Sequence, residues 1–145
     1  MQFICRNFGM PDLPRRGLTP QEAPLEVLLI DIEADLSVRE QGREVWSEVA
    51  FPVAELAYEL AHWLRSPGGG QEDFRMKSGV AEDGLIRIVR SDAGWRVGSV
   101  LTPDFWTAPV PWDVLVAELG RFDRTVREGV TALGIDPAFI PAVGG

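Results

Sequence analysis

The chain has 145 residues, 46% hydrophobic and 25% charged, with fourteen basic and twenty-two acidic side chains and a formal net charge of −8. That length suits one domain burying roughly 70% of its unfolded surface. A single Cys and a single His exclude an intramolecular disulfide and a Cys/His zinc centre.

The acidic balance, with no basic stripe, argues against nucleic acid and anionic membranes as partners. No apolar run reaches the ~18 residues of a membrane span. The N-terminus lacks the basic start and apolar core of a secretory signal. A cytoplasmic protein with no cofactor and no metal is therefore expected, folding indifferently to chelators and reductants.

Gln2 to Asn7 reads as a short edge strand. Residues 9–24 contain Pro11, Pro14, Pro20 and Pro24, which block a helix or a central strand and make this an irregular arm. From Leu28 to Arg39 apolar and polar residues alternate without error, the pattern of a half-buried strand. Gln41-Gly42 offers a tight turn into a second strand, Arg43 to Phe51. Pro52 opens a helix whose Val53, Leu56, Ala57, Leu60, Trp63 and Leu64 make an apolar stripe. Ser66 to Gly70 ends it in a loop.

Three shorter strands are predicted next: Phe74 to Val80, Leu85 to Arg90 and Trp95 to Leu101. Glu82-Asp83-Gly84 and Asp92-Ala93-Gly94 are the turns between them. Thr102 to Val110 is a loop or short edge strand. A second helix runs from Pro111 to about Leu133, with Leu115, Leu119, Phe122, Val126 and Val130 inward and Gly134 as C-terminal cap. Residues 135–145 form a tail that Phe139 and Ile140 can pin. The order ββαβββα, with an optional leading strand, predicts an α+β domain. Five to six antiparallel strands form one sheet and two helices cover one face.

Asp31, Glu33 and Asp35 sit at i, i+2 and i+4 of the first strand, so all three point away from the core. A two-residue turn at Gln41-Gly42 sets Asp35 opposite Glu48, Ser37 opposite Trp46 and Arg39 opposite Glu44. Trp46 and Glu48 then join the acidic face. Three readings compete: a solvated surface, a face for a basic protein partner with Trp46 as anchor, and a divalent-metal or acid/base site, for which carboxylates on a flat strand converge poorly. His62 reads as a surface or boundary residue, since no nucleophile elbow accompanies it. Cys5 reads as a buried, inert thiol. Gly68-Gly69-Gly70 follows a helix and lacks the Lys of a phosphate loop. Arg87, Trp95, Arg96 and Trp106 could line a pocket between the sheet and the C-terminal helix, holding an anionic small molecule, although most such aromatics are core.

Three stretches carry a family resemblance: Val27 to Leu36 (VLLIDIEADL), Phe51 to Ala57 (FPVAELA) and Gly94 to Val100 (GWRVGSV). With the final helix, the chain resembles a family of small actinobacterial proteins without an established activity. In size, acidity and layout it is also similar in type to immunity proteins, which bind and block a toxin. The acidity, the absence of a catalytic motif and the compact size, with that likeness in type, make a non-catalytic, inhibitor-like binding domain engaging a basic partner the expected function. A small-molecule binder or enzyme, and an accessory subunit using the arm and tail, are the alternatives.

Overall fold

The computed structural model describes residues 1–66, 72–78 and 83–142. Strand β1 (Gln2–Gly9) leads through the Pro-rich arm to helix α1 (Leu25–Asp31), followed by β2 (Glu33–Glu40), β3 (Arg43–Phe51) and helix α2 (Val53–Arg65). Then come β4 (Phe74–Arg75), β5 (Arg87–Ser91), β6 (Gly94–Gly98) and helix α3 (Trp112–Ala132). The fold is α+β, but the single sheet of five to six strands is not what forms. Among the described residues there are two antiparallel sheets of three strands, ordered β1-β2-β3 and β4-β5-β6, and a third α-helix.

That extra helix corrects the reading of the alternating run. Alternation holds from Ala34 to Val38, where Ala34, Leu36 and Val38 are buried and Asp35 and Ser37 are not. Upstream, Leu28, Asp31 and Ile32 are the buried residues, spaced i, i+3, i+4 as on one helical face. The chain is helical from Leu25 after the extended Pro24 and turns into β2 at Ile32.

The helices seal the inner faces. Phe3 of β1 meets Phe122 of α3 edge to face, ring centroids 5.4 Å apart. Gly129 lets α3 approach closely, since a Cβ there would lie 2.5 Å from the Phe8 ring. Buried residues of both sheets and all three helices belong to one contiguous core. Trp63, Trp95 and Trp112 meet in it, with centroid separations of 5.1 to 5.9 Å. The outer edge of β1 is held as well: the Phe3 N–H donates to Glu118 at 2.7 Å, and Arg121 donates to the Phe3 carbonyl.

The arm wraps the domain. Leu13 is buried, Gly17 takes φ +73 after a short 3-10 turn, and Arg16 donates twice to Asp31, at 2.7 and 2.9 Å. The C-terminal tail is pinned by buried Ile140 and by Arg127, whose guanidinium donates to the Ile140 and Pro141 carbonyls.

In the second sheet the expected strands are shorter than drawn, and Val80, Glu82 and the glycines 68–70 lie outside the described residues. Residues 106–110 add single bridges to β6, Gly98 to Trp106 and Trp95 to Val110. The Val97 N–H donates to the buried Thr107 hydroxyl at 2.9 Å. The segment predicted as a loop or edge strand is thus a partial fourth strand.

Candidate functional site

The outer face of the first sheet is built by the β1-β2 register, in which Ile4 faces Ser37 and Arg6 faces Asp35. A shallow depression of about 240 Å³ lies there, lined by residues of all three strands, among them Arg6, Asp35, Arg39, Glu44, Glu48 and Val49. Two of the five residues expected on an acidic face line it, Asp35 and Glu48. Glu33 is half-buried at the start of β2. Burial, then the nearby Asp12, Asp31 and Asp35 charges, raise its pKa.

Asp31 is not on this face. It ends α1, is 2% exposed, and is taken by Arg16. Trp46 is not on it either. It is 5% exposed and packs on Phe51 at 5.5 Å. The cause is an irregularity between Val38 and Arg39: Arg39 pairs with Glu44 as expected, but Trp46 then lies opposite Val38 and Ser47 opposite Ser37. A one-residue slip moves a side chain to the other face, and here it carries Trp46 inward; a second irregularity, between Ala34 and Leu36, follows, and Glu48 is exposed. The indole is a core residue.

Sequence reasoning also missed Arg6, which places a cation directly across from Asp35. The face is of mixed charge. Asp35 accepts from the Asn7 amide at 2.8 Å and from the Ala50 N–H at 3.1 Å. Both bonds favour the carboxylate, the Asn7 bond most, and hold its pKa below the ordinary value. The Ala50 N–H is brought to Asp35 where that residue takes φ +52. Val49 beside it is 70% exposed.

The four residues expected to line one pocket divide between two faces. Trp95 is 4% exposed and packs on Trp63 and Trp112. Arg87 pairs with Gly98, and Arg96 with Val89, so Arg87 and Arg96 leave the opposite, outer face. Trp106 joins them: a Cβ on Gly98 would come within 2.7 Å of its ring. The Arg87 guanidinium lies 5.2 Å from the ring centroid. With Trp95 on the core side and the other three outside, the set does not converge on one pocket among the described residues.

His62 is exposed and meets Tyr58 edge to face at 4.5 Å. Glu59, one helical turn before Trp63, has its pKa raised by burial and then by the Glu55 charge, against the pull of His62 and Lys77. Among the described residues no group of three or more His, Cys, Asp or Glu side chains could hold a metal ion. No helix there is long and apolar enough to cross a membrane.

Cys5 pairs with Leu36 on the core side of β1, and burial, opposed by the Arg121 charge, pushes its thiol up to about 12. A thiol is nucleophilic only as thiolate, so alkylation by iodoacetamide at pH 8 should be at least tenfold slower in the native protein than in urea (on the order of the lost thiolate fraction). Equal rates in both states, followed by mass spectrometry, would show that the thiol is not shielded.

No curated protein and no solved structure gives a significant match to this chain. Residues 15–132, from the Pro-rich arm to the last residue of α3, match a family described as a domain of unknown function, DUF7878, and the chain belongs to that family.

Proposed function

We propose that this chain is a non-catalytic protein-binding domain of the inhibitor type, as immunity proteins are, and that it engages its partner through the outer face of the first sheet. The observation that supports this reading most is Val49. It stands 70% exposed on an uncovered strand of a sheet whose other face is core. An apolar side chain amid charged neighbours has the make-up of an interface centre inside a polar rim. The net charge of −8 favours a basic partner by steering its approach, and Asp35, Glu44 and Glu48 supply local carboxylates, partly offset by Arg6 and Arg39.

The test is co-purification and binding kinetics with the products of the neighbouring reading frames. Val49→Arg should speed dissociation at least tenfold while leaving the melting temperature within about 2 °C, because the side chain is exposed. Glu44→Gln with Glu48→Gln should chiefly slow association and flatten its salt dependence, as rim charges do. A partner that binds both variants like the parent would remove this face from consideration.

A further inference from the structure

The second sheet carries a surface of the opposite sign. In β4-β5 pairing Arg75 lies directly across from Arg87, and in β5-β6 pairing Arg87 faces Gly98 while Arg96 faces Val89. Directly opposed residues share a face, and so do residues two apart on one strand. Arg75, Arg87 and Arg96 therefore leave the same outer side, where Trp106 lies over Gly98. Arg75 and Arg96 are exposed and Arg87 is half-buried.

Elsewhere carboxylates take some of the arginines, while Arg6, Arg39, Arg65, Arg90 and Arg124 form no ion pair among the described residues. Arg16, Arg43, Arg121 and Arg127 each have an Asp or Glu partner within 3.4 Å. Among the described residues, none of Arg75, Arg87 and Arg96 has a carboxylate within ion-pair distance or a side-chain hydrogen bond. The nearby Asp73 accepts from the Arg90 N–H instead. Like charges directly opposed across a strand pair are unfavourable, and an anion bridging Arg75 and Arg87 would relieve that cost. The Trp106 contact, with its indole N–H tied to the Pro103 carbonyl at 3.0 Å, gives the Arg87 guanidinium a fixed neighbour.

We propose that this face docks an extended acidic segment of a partner protein, its alternate Asp or Glu side chains received by Arg75, Arg87 and Arg96. The spacing fits two successive carboxylates: one is shared by the directly opposed Arg75 and Arg87, and the next reaches Arg96, which is diagonal to Arg87 at roughly 7–8 Å, close to the about 6.6–6.8 Å repeat of same-side residues in an extended chain. A guanidinium takes a carboxylate through two parallel N–H bonds. At physiological ionic strength charges beyond about 8 Å are screened, so the net charge does not forbid a short acidic segment here. A nucleic acid fits less well. Trp106 already has Gly98 and Arg87 as neighbours, which leaves Phe105 as the ring free for base stacking, and a long polyanion would run onto the acidic remainder of the surface.

The probe is a capped peptide of alternating Glu and Ser, titrated while the Trp106 indole and Arg side-chain N–H signals are followed by NMR. A Gln-Ser peptide, inorganic phosphate and oligouridylate are run alongside. The Glu peptide should give a saturable shift centred on these residues, and Arg75→Gln with Arg96→Gln should weaken it at least tenfold. Both side chains are exposed, so the fold should survive; should the pair misfold, Arg96→Gln alone replaces it, with at least a threefold weakening expected. Val49→Arg should bind the peptide like the parent, which separates this face from the one on the first sheet. No saturable shift up to about millimolar peptide, equal binding by the Gln-Ser peptide or the Arg variants, or tighter binding of phosphate or oligouridylate, would each overturn the assignment.

Discussion

Leu119→Asp is expected to cost about 4 kcal/mol or more, most of the stability of a domain whose total falls near the usual 5–15 kcal/mol. Leu119 is 1% exposed at the middle of the α3 stripe, between Leu115 and Phe122, which are both fully buried. That stripe faces β1, where Phe3 stacks on Phe122, and α2. An aspartate there would sit within the hydrophobic core and must be buried charged or protonated at a cost. Both outcomes also forfeit the dispersion contacts of the lost leucine. Urea unfolding followed by tryptophan fluorescence reads the change, since Trp63, Trp95 and Trp112 report on packing of the same core. A midpoint unchanged from the parent would mean that α3 does not hold the sheets together.

The apolar stripe behind that expectation was legible in the sequence because α3 is long. Twenty-one residues give six turns over which a 3.6-residue period cannot be mistaken for another. Helix α1 has seven residues, under two turns, and Leu28, Ile30 and Ile32 fit a strand as well as a helix. Its helical face is visible only through Asp31, a buried carboxylate that a hydrophobicity pattern scores as polar. The position of Trp46 was hidden for a different reason. Its side of the sheet depends on a register irregularity near Arg39, and nothing local distinguishes that from a regular ladder.

The partition of strands was beyond local reading as well. Each sheet is made of near neighbours in sequence, but whether β4-β5-β6 continues β1-β2-β3 depends on what meets at their edges. Here Arg43, Glu44 and Val45 of β3 face Phe105 and Trp106 across a gap of about 260 Å³. One side-chain bond, from the Ala108 N–H to Glu40 at 2.8 Å, helps join the two sides. The arginine face follows from the same long-range facts. Arg87, Arg96 and Trp106 leave one face of the second sheet and Trp95 the other. Alternation along β6 puts Trp95 and Arg96 on opposite sides, so a single pocket could never have held both.

The second large effect is expected where the Pro-rich arm meets α1. Asp31 has a side chain 1% exposed, whereas Arg16, which donates to both its oxygens, is 44% exposed. The two partners are therefore not equivalent. Asp31→Asn leaves a guanidinium that can turn to water. Arg16→Met leaves a carboxylate with no countercharge in a nearly dry site, and breaking a buried pair from that side is the costlier route. Arg16→Met should lower the melting temperature by about 10 °C, more than Asp31→Asn does. Combining Arg16→Met with Asp31→Leu should recover much of the loss, since an apolar pair of similar volume avoids desolvating a charge. The double-mutant cycle of parent, Arg16→Met, Asp31→Leu and the pair should thus give a coupling well beyond the ~0.3–0.5 kcal/mol of independent sites. Melting curves for the four proteins decide it: if Arg16→Met melts with the parent, the arm is not fastened through Asp31.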